Sequence, residues 1–132
     1  ADVYLANTAQ ENRNLIHNGT SWDATVSPTI GFNFTGPNNS VYRVAGGGVD
    51  PSTDNPTIYV YRGFTYRLNN TTTAAHPLAL RQTAGGSAVT EGVTGDQEAV
   101  QYWTVPMDLA AGTTYVYQCT MHPAMVGNLT VV

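Results

Sequence analysis

The chain is poor in charge and nearly devoid of cysteine, and each shortage removes a class of protein. Charged residues make up 11% of its 132 positions, against about a quarter in ordinary soluble domains. Its five basic residues are scattered without a cluster and the formal net charge is −4, so no electrostatic footprint for nucleic acid exists. The mild acidity favours a partner with a basic docking patch. A single cysteine, Cys119, rules out an intramolecular disulfide. No apolar run approaches the ~18 residues that a membrane-spanning helix needs. No signal peptide is recognisable, and the start Ala1-Asp2 fits a mature end left by signal cleavage and a trimmed chain equally.

What is abundant points to strands. Thr, Val and Tyr favour extended backbone, while Gly, Asn and Pro favour turns. The length fits one domain over residues 1–132, with no linker and no internal repeat. The first 20 residues hold the one good helix pattern: Thr8 and Glu11 form a capping box, Leu15 and Ile16 fill the last turn, and Asn18-Gly19 is the stop. An irregular strand and loop is the equal alternative there.

From Thr25 onward the pattern is strand and turn. Strands are expected over 30–34, 41–44, 58–61, 64–68, 78–80, 100–105, 113–119 and 127–132. Gly36-Pro37-Asn38-Asn39 is read as a turn, and Arg62-Gly63 as a tight turn between two strands. Residues 69–75 form a polar loop ending at His76, and residues 83–99 a long surface loop. Seven or eight short strands at this spacing imply an all-β sandwich.

The chemistry is concentrated between the last two strands. Cys119, His122 and Met125 place a thiolate, an imidazole and a thioether within seven residues, at two-residue gaps. A tight loop anchored at both ends can turn all three toward one point. Thiolate and thioether are soft ligands that suit Cu(I), and imidazole suits both copper oxidation states. A trigonal His₂Cys set with a weak axial Met is an electron-transfer copper site. The second histidine must be His76 or His17. His76, at the mouth of a strand, is the better placed, and His17 is the alternative. A zinc site is disfavoured because Met binds zinc poorly. Chance proximity of a core thiol, a surface His and a core Met is the remaining bland explanation. Met107 and Met121 are read as packing residues.

The stretch Cys119-Thr-Met-His122-Pro-Ala-Met125-Val-Gly127 resembles the ligand loop of cupredoxins, the family of plastocyanin, pseudoazurin and amicyanin. Its short form looks most like amicyanin. His76 matches the family's first His ligand in order and spacing, and the resemblance covers residues 57–132. It implies a Greek-key β-sandwich holding one copper ion (Cu2+/Cu+) per chain through His76, Cys119, His122 and Met125. It also implies electron transfer rather than enzymatic turnover, in a monomer lodged in the periplasm, the thylakoid lumen or another extracytoplasmic space. Electrons would pass through the His122 edge, where Pro77, Met121, Pro123 and Ala124 form an uncharged patch for redox partner proteins. His76 would be the more buried ligand.

One departure matters. The family usually carries Asn after its first His ligand, and the backbone N–H of that Asn donates to the Cys sulfur. Here the position is Pro77, which has no N–H. Met121 stands where plastocyanin and amicyanin often have Pro, so its N–H is the expected replacement donor. Two rival roles share the ligands: a copper carrier or store, and a mononuclear copper enzyme with an open axial position.

Overall fold

The computed structural model describes residues 29–132 together with the backbone of Ile16–His17 and Trp22–Asp23. In chain order the strands are β1 (Ile16–His17), β2 (Trp22–Asp23), β3 (Thr29–Asn38), β4 (Val41–Ala45), β5 (Ile58–Val60) and β6 (Thr65–Asn70). They continue with β7 (Leu78–Arg81), β8 (Val93–Thr94), β9 (Val100–Thr104), β10 (Thr114–Cys119) and β11 (Val126–Val131). The small pair β1–β2 stands apart. The other nine, one more than the highest expectation, form a four-stranded sheet in the order β5-β11-β10-β7 and a five-stranded sheet in the order β4-β3-β6-β9-β8. Both sheets are mixed: β5–β11 and β3–β6 are parallel, and the remaining pairs are antiparallel.

The expected β-sandwich is present, and the two-residue period explains it. On β6, Tyr66, Leu68 and Asn70 are buried while Thr65, Arg67 and Asn69 are half-exposed. The inward faces of the two sheets share one core. Tyr117 of the four-stranded sheet meets Phe34 of the five-stranded sheet edge-to-face at 5.2 Å, and Tyr42 lies 6.0 Å from the same ring. Each such fully buried aromatic contributes about 2–3 kcal/mol of apolar burial.

Several local expectations need correction. The strands on either side of Arg62-Gly63 are not partners: β5 joins one sheet and β6 the other. Both carry apolar inward faces, Ile58 and Val60 on β5 and Tyr66 and Leu68 on β6, which are satisfied by entering the one core from different sheets. Gly63 adopts a φ of +82°, and its N–H bonds to the Val105 carbonyl at 2.7 Å. The expected turn at 36–39 is also displaced. β3 runs on to Asn38 through a register shift between Thr35 and Asn38. The turn then follows, closed by the Ser40 N–H on Asn38 Oδ1 at 2.8 Å.

The polar loop before His76 contains one 3-10 turn, Thr73–Ala75. The long loop after β7 is more ordered than a surface loop need be. Val89 is buried in the core, β8 adds an edge strand, and the Gln97 N–H reaches the Leu78 carbonyl at 3.1 Å. At the N-terminus, Ile16 and His17 pair as a short strand with Trp22 and Asp23, not as a helix end. The remainder of the expected helix, Thr8 and Glu11 included, lies outside the described residues, as does the His17 side chain. No helix among the described residues is long and apolar enough to cross a membrane.

Candidate metal centre

The site forms where the two ligand loops leave the sheets at the same end of the sandwich. Strand β10 ends at Cys119, which lies opposite Leu78 in β7, two residues after His76. The loop beyond Cys119 is closed by its own backbone: the Cys119 N–H donates to the Met125 carbonyl and the Met125 N–H to the His122 carbonyl, each at 2.9 Å. The Thr120 N–H donates to the Pro77 carbonyl at 3.0 Å, which ties this loop to the His76 loop. Gln118 braces the outer side. Its Oε1 accepts the Gly85 N–H at 2.7 Å and its Nε2 donates to the Pro123 carbonyl at 2.9 Å.

These constraints bring three donor atoms together. His76 Nδ1 and His122 Nδ1 are 3.1 Å apart, and Cys119 Sγ lies 3.8 Å from the first and 3.6 Å from the second. Metal–nitrogen and metal–sulfur bonds of about 2.0 and 2.3 Å in a trigonal set would space the nitrogens about 3.5 Å apart and put each about 3.7 Å from the sulfur. The donor set therefore fits a first-row metal ion with little rearrangement. Among the described residues, His76, Cys119 and His122 are the cluster of His, Cys, Asp or Glu side chains so arranged.

Burial is graded around the three. Cys119 and His76 are buried, whereas His122 is half-buried and faces outward. Met125, fully buried, stands beside them. A Cβ placed on Gly36 would lie 3.1 Å from His76 Cδ2 and 3.2 Å from Met125 Cε, so ring and thioether share one wall of the site. The N–H of Met121 donates to Cys119 Sγ at 3.4 Å. The donor expected from the loss of Asn at position 77 is thus in place. Around His122, Met121, Pro123 and Ala124 are exposed and Pro77 is half-exposed, all of them uncharged.

Tyr42, Asn70 and Gly36 also belong to the site, and sequence reasoning missed them. Tyr42 packs edge-on to the His76 ring, 6.4 Å between centroids, and its hydroxyl donates to the His76 carbonyl at 2.7 Å. Burial, reinforced by the neighbouring Cys119, holds the Tyr42 phenol well above the ordinary tyrosine value. It therefore remains an O–H donor. The one available signal was the alternation Tyr42-Arg43-Val44, which marks Tyr42 as inward but does not say toward what.

No family model matches the chain, and neither does any curated protein sequence. Solved structures do match. The reduced Cu(I) form of an amicyanin variant at pH 4 is 24% identical, covering 83% of this chain and 88% of that one, with a TM-score of 0.45. A second reduced amicyanin variant is 27% identical over the same shares, with a TM-score of 0.44. A rusticyanin variant is 18% identical, covering 100% of this chain and 95% of that one, with a TM-score of 0.48.

Proposed function

We infer that this chain is a cupredoxin, a one-domain electron carrier that holds one copper ion with His76, Cys119, His122 and Met125. The observation that carries this reading is the convergence of two imidazole nitrogens and one thiolate sulfur within 3.8 Å of one another, at the end of two braced loops. A copper ion held there would supply a one-electron couple, Cu2+/Cu+.

The chain's own part is to bind, to hold still and to exclude water. Cys119 and the two histidines offer a trigonal set, and Met125 a thioether from the buried side. That set is a compromise between the geometries the two oxidation states prefer, so little has to move on electron transfer. Strands β7, β10 and β11 fix the spacing before any metal arrives. Buried Cys119 and His76 keep water from the thiolate, and half-exposed His122 offers a short path to the surface. The uncharged rim of Pro77, Met121, Pro123 and Ala124 suits brief encounters with redox partner proteins through a small interface. Such a carrier is not an enzyme, works as a monomer and fits an extracytoplasmic compartment.

Adding Cu(II) to the metal-free protein tests the reading. One equivalent should produce intense thiolate-to-copper visible absorption, and Cys119→Ala should abolish it. A carrier that hands copper on would share these ligands. It is favoured by one observation: the exposed thioether of Met121, a soft donor beside His122. Slow copper release with a reversible one-electron wave supports electron transfer, whereas release to a chelator within seconds supports the carrier.

A further inference from the structure

The residue after His76 offers no N–H, but the His76 carbonyl is unusually well supplied with donors. Tyr42 Oη and Asn70 Nδ2 each donate to it at 2.7 Å, and Thr72 Oγ1 approaches at 3.3 Å. A carbonyl oxygen has two lone pairs, so Tyr42 and Asn70 saturate it and the longer Thr72 contact adds little. Both donors are buried, where a hydrogen bond is stronger and harder to exchange with water.

Each donor is itself anchored. The Tyr42 ring is wedged against Phe34 at 5.8 Å and Tyr117 at 6.0 Å, and its N–H bonds to Asn55 Oδ1 at 2.8 Å. The Asn70 N–H bonds to the Ala99 carbonyl at 2.7 Å, and its Oδ1 accepts the Thr72 N–H at 3.0 Å. The two belong to β4 and β6, which supply no ligand. They clamp the His76 main chain from the five-stranded sheet, whereas Cys119 is carried by the four-stranded one.

We propose that Tyr42 and Asn70 are positioning residues for His76, locking its peptide so that Nδ1 stays aimed at Cys119 and His122. Nδ1 is the ring nitrogen nearer the main chain, so a shift of the carbonyl passes directly to it. The clamp ties the His76 loop to the core, a task a side chain after His76 would otherwise share. It makes His76 the stiff ligand and half-exposed His122 the compliant one. The inference rests on the copper-centre reading for its functional meaning, but the clamp itself can be tested without metal.

The test uses Tyr42→Phe, which keeps the ring and removes the donor, and Asn70→Ala, which removes the amide without leaving a side-chain donor in its place. In the metal-free protein, NMR relaxation of the imidazoles should show greater motion of His76 in both variants, with His122 and the core methyl groups unchanged. In the copper-loaded protein, both variants should lose copper to a chelator about fivefold faster, the equivalent of one hydrogen bond. The visible band should shift as well. Unchanged His76 motion in both metal-free variants overturns the clamp whether or not copper binds. Altered motion with an unchanged band and release rate overturns its role in positioning a ligand. Failure of the parent protein to take up copper strikes the copper reading alone.

Discussion

The Met121 backbone N–H points at the Cys119 sulfur from two residues along the chain, at 3.4 Å. A hydrogen bond of this kind draws electron density from a thiolate, which weakens its donation to an oxidised metal and raises the reduction potential. Met121→Pro removes the donor, and that N–H has no second partner among the described residues. The potential should fall by tens of millivolts, since about 1.4 kcal/mol corresponds to about 60 mV for one electron. Voltammetry on parent and variant decides it, and an equal potential in the two would refute the assignment.

Gly36→Ala should damage the site without straining the backbone. Gly36 does not need the left-handed conformation that only glycine adopts freely. The new Cβ would, however, press on the His76 ring, the Met125 methyl and Thr72 Cγ2, all at 3.1–3.2 Å. Overpacking of a tight site costs about 1–3 kcal/mol. The urea midpoint of the metal-free protein should drop accordingly, and the copper spectrum should change. A stable variant with the parent's spectrum would show that His76 and Met125 yield freely there.

Much of the site was legible because it is contiguous. Cys119, His122 and Met125 announce themselves by ligand type and spacing, and His76 follows from having few competitors. Strand position was legible from the two-residue period on β6. Sheet membership was not, because β5 and β6 carry the same apolar alternation whether they pair or enter the core from different sheets. Tyr42 and Asn70 were invisible for a similar reason. Pattern marks Tyr42 as inward and leaves Asn70 in the polar loop after residue 68, whereas β6 runs on to bury it; the target of both is one carbonyl oxygen, fixed only by how β4 and β6 cross the His76 loop. The register shift at Gly36 has no compositional mark that distinguishes it from an ordinary turn.

Three buried phenols make the fold sensitive to alkali. Burial raises Tyr42, Tyr117 and Tyr66 above their ordinary value near 10, although the Tyr61 N–H pulls Tyr66 partly back. A group whose folded pKa is raised contributes stability that is complete below the unfolded pKa and is lost as pH rises above it. Unfolding should therefore become easier above about pH 10, by up to ~1.4 kcal/mol per pH unit for each proton held. Urea midpoints measured from pH 9 to 12 should bend downward. Tyr117→Phe should make that bend shallower, while lowering stability at neutral pH by about 1–3 kcal/mol because the buried Pro56 carbonyl loses its donor. An unaltered bend in the variant would assign the alkaline loss elsewhere.

Met121 and Met107 are about equally exposed, at 61% and 56%, yet lie at opposite ends of the sandwich. Met121 adjoins His122, whereas Met107 lies against Gly63, just before the start of β6, whose other end leads to His76. Six residues of strand separate those ends by roughly 20 Å. If electrons pass through the His122 edge, two molecules exchanging an electron must bring their Met121 faces together and dry them. A lysine there would have to be desolvated at every encounter, a cost that salt does not relieve. Met121→Lys should slow electron self-exchange at least about tenfold, one decade corresponding to about 1.4 kcal/mol, and the slowing should persist at high ionic strength. Met107→Lys adds the same charge to the same molecule and should leave the rate near the parent's once salt screens the net charge. NMR line broadening in mixtures of oxidised and reduced protein reads both rates. Equal rates for the two variants at high salt would mean that the His122 face is not where the electron leaves.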